Sequence, residues 1–141
     1  MKNLFDLTGK TALITGAAGL LGPKHAEAIM EQNGNVIIYE RAQATSARLN
    51  HKYDCMRALP TYMDVTDKES IDEVIQSHQR IDILINNAAK DPKVKKGAGL
   101  TPESRFEVMT EEYWKEGIDA IINGTFLCSQ AVANKMLTHG G

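Results

Sequence analysis

The stretch ITGAAGLLGPKHAEAI, Ile14 to Ile29, sets three glycines, Gly16, Gly19 and Gly22, between an apolar segment and a helical one. Upstream, KTALIT (Lys10 to Thr15) reads as a short, mostly apolar strand. Downstream from Gly22, the positions Ala26, Ile29 and Met30 fall on one helical face. Glycines at such a junction have separate uses if a phosphate binds there. One lets the chain turn sharply after the strand, one lets a pyrophosphate approach the backbone, and one lets the helix pack close to the sheet. The helix N-terminus then offers free N–H groups and a partial positive charge to the anion. The triplet carries weight because it follows a strand, opens a helix and lies in the first strand-helix-strand unit.

The same alternation continues along the chain. NVIIYE (Asn35 to Glu40), LPTYMDV (Leu59 to Val65) and IDILINN (Ile81 to Asn87) read as further strands. Their runs lack polar alternation, as expected of strands buried on both faces. Helices are expected over Ala42 to Tyr53, over TDKESIDEVIQSH (Thr66 to His78), and from after Thr110 to about Leu137. In the second of these, Thr66 and Glu69 have capping-box spacing, and Ile71, Val74, Ile75 and His78 follow helical periodicity. Gly117 and Gly124 interrupt the last helix, so a bend or a tight contact is expected there. Short strand-helix connections predict right-handed crossovers and a parallel α/β sheet. The segment KDPKVKKGAGLTPESR, Lys90 to Arg105, is too long for an ordinary connection and reads as a functional or mobile loop.

Glu40 closes the second strand. A carboxylate there accepts hydrogen bonds from the hydroxyls of an adenosine ribose. A 2′-phosphate about 4 Å away would be repelled by about 4 kcal/mol at an effective dielectric near 20, which favours NAD over NADP. Arg41, beside it, is the group that would grip the extra phosphate.

Bulk properties restrict the alternatives. The 141 residues fit one domain, and 43% hydrophobic residues supply a core. A formal charge of −2 gives no electrostatic case for nucleic acid. No apolar run reaches membrane-spanning length, and MKNLFDLTGK does not read as a secretory peptide. Cys55 and Cys128 fit neither a metal spacing nor a disulfide framework, so reduced thiols, a cytoplasmic setting and no metal site are expected.

The motifs together resemble the short-chain dehydrogenase/reductase family. LTGKTALITGAAGLLG is similar to its opening strand and glycine turn, MDVTD to its third-strand end, NNAA (Asn86 to Ala89) to its fourth-strand motif, and GTFLCSQA (Gly124 to Ala131) to the middle of its long helix. The resemblance implies a Rossmann-type doubly wound parallel sheet of strand order 3-2-1-4. It also implies cofactor contacts at Gly16, Gly19, Leu21, Gly22, Glu40, Asp64, Val65, Asn87, Ala88 and Ala89. Asp64 would contact the adenine, Val65 would pack on it, and Ala89 replaces a glycine beside the cofactor. The implied activity is NAD(P)-dependent hydride transfer to or from a carbonyl or secondary alcohol.

The departures are specific. The spacing TGxxGxxG, with Leu20 in place of a middle glycine, is similar to the family's extended branch of nucleotide-sugar epimerases and dehydratases, whereas NNAA points to the common branch. The family's catalytic Asn corresponds to Ile121, and Asn123 would point about 200° away around a helix. The family's Tyr-x-x-x-Lys pair does not occur: Tyr39, Tyr53, Tyr62 and Tyr113 are followed four residues later by Gln43, Arg57, Thr66 and Gly117. No catalytic residue is therefore assigned, and residues 1–141 read as a truncated, nucleotide-binding half, inactive alone. A non-catalytic nucleotide-binding module and an extended-branch enzyme are the alternatives. DPKVK and SRFE resemble a bacterial subgroup associated with surface sugars, which implies a sugar-type substrate. Lys93, Lys95, Lys96 and Arg105 either receive an acidic or phosphorylated substrate or form a solvated loop. An incomplete sheet would leave the fourth strand as an edge and expose some of Trp114, Ile118, Ile121, Ile122 and Phe126, so a homo-oligomer is expected.

Overall fold

The strands align by matching apolar residues across the centre of the molecule. In the computed structural model, which describes residues 4–39, 43–55, 57–90 and 105–139, β1 (Thr11–Ile14) pairs in parallel with β2 (Asn35–Tyr39) and β4 (Ile83–Ile85). β2 pairs in turn with β3 (Ala58–Thr61). The order is β3-β2-β1-β4, with Leu13 opposite both Ile37 and Leu84. This is the expected α/β, Rossmann-type doubly wound arrangement.

Successive strand residues face opposite sides of a sheet, so each strand feeds two cores. Ala12, Ile14, Val36 and Ile38 bury one face against Ala26 and Met30 of α1 (Gly22–Glu31) and Leu49 of α2 (Gln43–Lys52). Leu13 and Ile37 bury the other against Ile71, Val74 and Ile75 of α3 (Lys68–Ser77) and Cys128 and Val132 of α5 (Gly124–Thr138). Burial on both faces explains why the strands read as apolar runs. Burial likewise pushes the Cys128 thiol of α5 up to about 11, which disfavours its thiolate.

Several boundaries differ from the sequence expectations. β3 stops at Thr61 rather than Val65, because the chain turns where Asp64 Oδ1 accepts from the amide and hydroxyl of Thr66, at 2.9 and 2.7 Å. Pro60 is tolerated within β3 because β3 is an edge strand and needs no amide on its open side. β4 is confined to Ile83–Ile85, since the amide of Asn87 turns to a side chain of β1's end instead of a ladder carbonyl.

The capping box expected at Thr66 and Glu69 is absent. Thr66 is committed to Asp64, and the N-cap is Asp67, whose carboxylate accepts from the Glu69 amide at 3.0 Å. The helix ends at Ser77, so His78 terminates it rather than extending its apolar stripe. The last helix begins where expected, at α4 (Glu111–Ile118), with Thr110 accepting from the Tyr113 amide. It widens into a π-helical turn over Asp119–Asn123 and resumes as α5.

A charge cluster joins α1 to α2. Glu27, buried, receives Lys24 and Arg48 at 3.1 Å and Lys52 at 3.6 Å. Hydrogen bonds from Lys24 and then Arg48 hold its carboxyl at about 2 against the opposing effect of burial.

Candidate functional site

The glycine turn sits at the C-terminal end of β1 and is pressed against the exit of β4. Gly16 has φ +63°, a conformation that side-chain-bearing residues seldom adopt. A Cβ there would lie 2.8 Å from Ala88 Cα and 3.0 Å from Ala88 N. The Gly19 amide closes the turn on the Gly16 carbonyl at 3.1 Å. Gly22, the first residue of α1, would bring a Cβ within 2.4 Å of Ala17 Cα and 2.5 Å of the Gly16 carbonyl oxygen. All of these neighbours are backbone, so nothing can swing aside.

Two side chains fasten the turn to β4. Thr15 is buried, and its Oγ1 accepts from the amides of both Asn87 and Ala88 at 3.0 Å. The Asn87 amide group donates to the carbonyls of Thr15 and Gly16, at 3.1 and 2.9 Å. Thr15 had no role assigned from the sequence. The available signal was a hydroxyl at the end of an apolar strand, where burial demands a partner. Next along, Asn86 donates to Ser129 of α5 at 3.0 Å, and Lys90 pairs with Glu116 and lies 5.0 Å from the centroid of the Tyr113 ring.

The N-terminus of α1 is electrostatically bare. Leu21 occupies the cap position with 58% exposure, no side chain caps the helix, and its first turn holds no acidic residue. α3 and α4 are capped by Asp67 and Thr110 and carry glutamates in their first turns. Orphan amides and the positive end of α1 are thus left for something other than a side chain of this chain. A narrow turn whose three glycines carry no side chain, beside an uncapped helix end, suits a pyrophosphate, so the residues fit a dinucleotide.

Asp64 is exposed, and the hydrogen bonds from Thr66 hold its carboxyl below the usual range. Val65 is half-buried and packs on Gly124, where a Cβ would come within 3.0 Å of its side chain. Ala88 is half-buried and Ala89 exposed at the exit of β4. Glu40 and Arg41 lie outside the described residues, as do Lys93, Lys95 and Lys96, while Arg105 pairs with Glu107. The structure therefore brings Gly16, Gly22, Asn87 and Ala88 together.

Ile121 sits in the π-helical turn at 44% exposure, with no hydrogen-bonding atom on its side chain. Asn123 is held by its own helix, donating to Asp119 at 2.6 Å. Two tyrosines do have a lysine nearby. Tyr53 lies under Lys52 and donates to Glu31, while Lys90 over Tyr113 is engaged by Glu116. The Tyr53 hydroxyl is thus committed to Glu31 with Lys52 beside it, and the Lys90 ammonium to Glu116.

Residues 10–141 match the family model described as short chain dehydrogenase. The chain belongs to the short-chain dehydrogenase family. It is 31% identical to an NAD-dependent glycerol dehydrogenase of Listeria innocua, over 97% of this chain and 51% of that protein. It is 34% identical to a sorbitol dehydrogenase of Cereibacter sphaeroides, over 95% of this chain and 50% of that one. A solved short-chain type dehydrogenase/reductase from Mycobacterium marinum superposes with a TM-score of 0.81 at 30% identity, covering 97% of this chain and 54% of that structure. The chain thus spans about half the length of the relatives it matches.

Proposed function

We propose that this chain is the dinucleotide-binding portion of an NAD(H)-preferring oxidoreductase that acts on a carbonyl or secondary alcohol, with a polyol or sugar as the substrate class. The observation that carries the reading is the bare N-terminus of α1 beside the backbone contact of Gly16 with Ala88, in a member of this family. When bound, the nicotinamide supplies the hydride chemistry. Gly16, Gly19, Leu21 and Gly22 would hold the pyrophosphate, and Asp64 and Val65 the adenine side. Asn87, Ala88 and Ala89 would line the approach to the nicotinamide. Glu40 would take the ribose hydroxyls. The polyol assignment leans on the names of the glycerol and sorbitol dehydrogenases to which the chain is similar.

Calorimetry with NADH and NADPH tests the cofactor assignment. The carboxylate at Glu40 should make NADH the tighter ligand by about tenfold or more, since a repulsion of only 1.4 kcal/mol suffices for that factor. Equal or tighter NADPH binding would give the choice to Arg41.

We further infer a cytoplasmic homo-oligomer. Among the described residues no helix is long and apolar enough to cross a membrane. Trp114, Ile122 and Phe126 on the α4–α5 side are each more than half exposed, and an apolar side of that kind favours self-association. Light scattering of the 141-residue chain should give dimers or larger species, and a concentration-independent monomer would overturn the assignment.

A further inference from the structure

The opposite end of the sheet holds a second candidate site, made by the N-terminal ends of the strands. Thr11 opens β1, Asn35 and Val36 open β2, and Arg57 and Leu59 flank the start of β3. With His78, Gln79 and Arg80, which lead from α3 toward β4, they line a cavity of about 240 Å³. Its charge is unbalanced. Arg80 and Lys10 share one carboxylate, that of Asp82, at 2.6 and 3.1 Å. Arg57 is half-buried, spends one N–H on the Gly34 carbonyl at 3.2 Å, and has no carboxylate partner among the described residues. In the Glu27 cluster, by contrast, every cation reaches the carboxylate.

A guanidinium carries five N–H donors in a fixed fork, and leaving most of them unused beside a cavity is unfavourable unless water or an anion takes them. His78 adds a further polar atom. Its Nδ1 lies 2.9 Å from the Val74 carbonyl and 3.0 Å from the Ser77 hydroxyl, and Nε2 has no hydrogen-bond partner among the described residues. The cavity is smaller than the roughly 300–1,000 Å³ of pockets that take organic ligands of drug size, yet holds several times the roughly 30 Å³ share of one water. These dimensions suit a small anion and exclude a dinucleotide.

We propose that this cavity binds a phosphate group, as inorganic phosphate or a small phosphomonoester, through Arg57 and Arg80, independently of the glycine turn. The guanidinium fork matches the oxygen spacing of a phosphate, and charge-assisted bonds of this type are stronger than neutral ones. Asn35, Gln79 and Thr11 supply neutral polar groups around it, and exposed Leu59 gives an apolar wall.

The test uses the chain's own histidines as position markers. His25 lies in the second half-turn of α1, close to the glycine turn, and His78 lines the cavity. Inorganic phosphate and, separately, glycerol phosphate are titrated into the full chain while the imidazole NMR signals are followed, with and without NADH. The proposal expects His78 to shift, His25 to stay, and NADH to leave the phosphate affinity unchanged. Tighter glycerol phosphate identifies an ester as the ligand, and equal affinity identifies the phosphate alone; either supports the site. Arg57→Gln should weaken binding at least tenfold. Arg57→Lys, which keeps the charge and loses the fork, should weaken it less and serves if the glutamine variant does not fold. A shift of His25 instead of His78, displacement by NADH, no shift at all, or full affinity in Arg57→Gln would each overturn the proposal.

Discussion

At the C-terminal ends of β1 and β4, contact is made by backbone: Gly16 lies against Ala88, Gly22 against Ala17, and Thr15 and Asn87 close the seam with neutral hydrogen bonds. At the N-terminal ends of the same two strands, charged side chains supplement the backbone contact. There Lys10 reaches across to Asp82, which Arg80 of the same segment also pairs with and which accepts from the Thr11 amide at 3.0 Å, beside one backbone bond from the Asp82 amide to the Thr11 carbonyl at 2.8 Å. The first seam has no slack, since methyl groups do not fit. The second has slack in every methylene of Lys10 and Arg80. A surface that must present bare amides to a ligand needs the first kind of contact, because any side chain there would occupy the ligand's place. A seam that only holds strands together can use the second.

The largest effect expected from this division is on turnover. In the proposed function the seam at Gly16 binds and positions the cofactor, but it contains no group that moves a proton. Residues 1–141 hold no Tyr-x-x-x-Lys pair, and Ile121 has nothing to donate. A positioned general acid or base contributes typically about 10²–10⁴-fold, and orientation of the reactants up to roughly 7–11 kcal/mol. The 141-residue chain should therefore show no consumption of NADH with ketones or sugars, and no NAD reduction with polyols, by absorbance. Turnover that survives repurification and is lost in Gly16→Val would place an acid-base group inside this seam.

The next effect concerns the missing slack itself. Gly22→Ala forces a methyl group to within 2.4 Å of backbone carbon, so α1 must move away from the turn. Overpacking of this kind costs about 1–3 kcal/mol, and here it also opens the proposed pyrophosphate site. Urea unfolding should show the loss, and NADH affinity should fall with it. Gly117→Ala is the control. Among the described residues nothing beyond its chain neighbours and its own helix backbone lies within 4 Å of a Cβ at Gly117, so alanine in α4 should be neutral or stabilising by up to about 1 kcal/mol. If the two variants behave alike, glycine content and not close approach explains the seam.

Much of this was legible in the sequence, for identifiable reasons. Apolar runs at Lys10–Thr15, Asn35–Glu40 and Ile81–Asn87 gave the strands of a parallel sheet, because burial on both faces favours such a composition, and the family resemblance gave their order. The glycine triplet located the turn. What escaped was set by contacts between distant segments. Thr15 acts through amides 72 and 73 residues away, and nothing local marks it. The Thr66–Glu69 spacing was a correct pattern in the wrong frame, since Asp64 takes Thr66 first and leaves Asp67 to cap. The π-helical turn at Asp119–Asn123 lies between the two glycines expected to interrupt the helix. Of these, only Gly124 is held tightly, by Val65. Arg57 reads as an ordinary surface cation until the strand ends gather around it.

The smallest effect tests the charged seam, and its sign follows from Asp82. Burial alone would raise this carboxyl, whose side chain is 6% exposed, but the Arg80 guanidinium, the Thr11 amide and the Lys10 ammonium outweigh burial and hold it at about 2, against 3.8 for a free side chain. A carboxyl with a depressed folded pKa stabilises the fold only while it is ionised. Its contribution is complete above the unfolded value and is lost as pH falls from about 4 to about 2. The shift corresponds to roughly 2 kcal/mol at most, since one pKa unit is about 1.4 kcal/mol and the two cations remain partly in water. Asp82→Asn should thus be about 1–2 kcal/mol less stable than the parent at pH 7 by urea unfolding. The gap between the two should close as pH falls through that window, and NADH affinity should be unchanged because the glycine seam lies at the other end of the strands. A gap that persists undiminished at pH 2 would mean that the carboxylate's charge is not what joins β1 to β4 there. A fall in NADH affinity would mean that the two ends of the sheet are coupled, and the division between a rigid backbone seam and a compliant charged one would no longer hold.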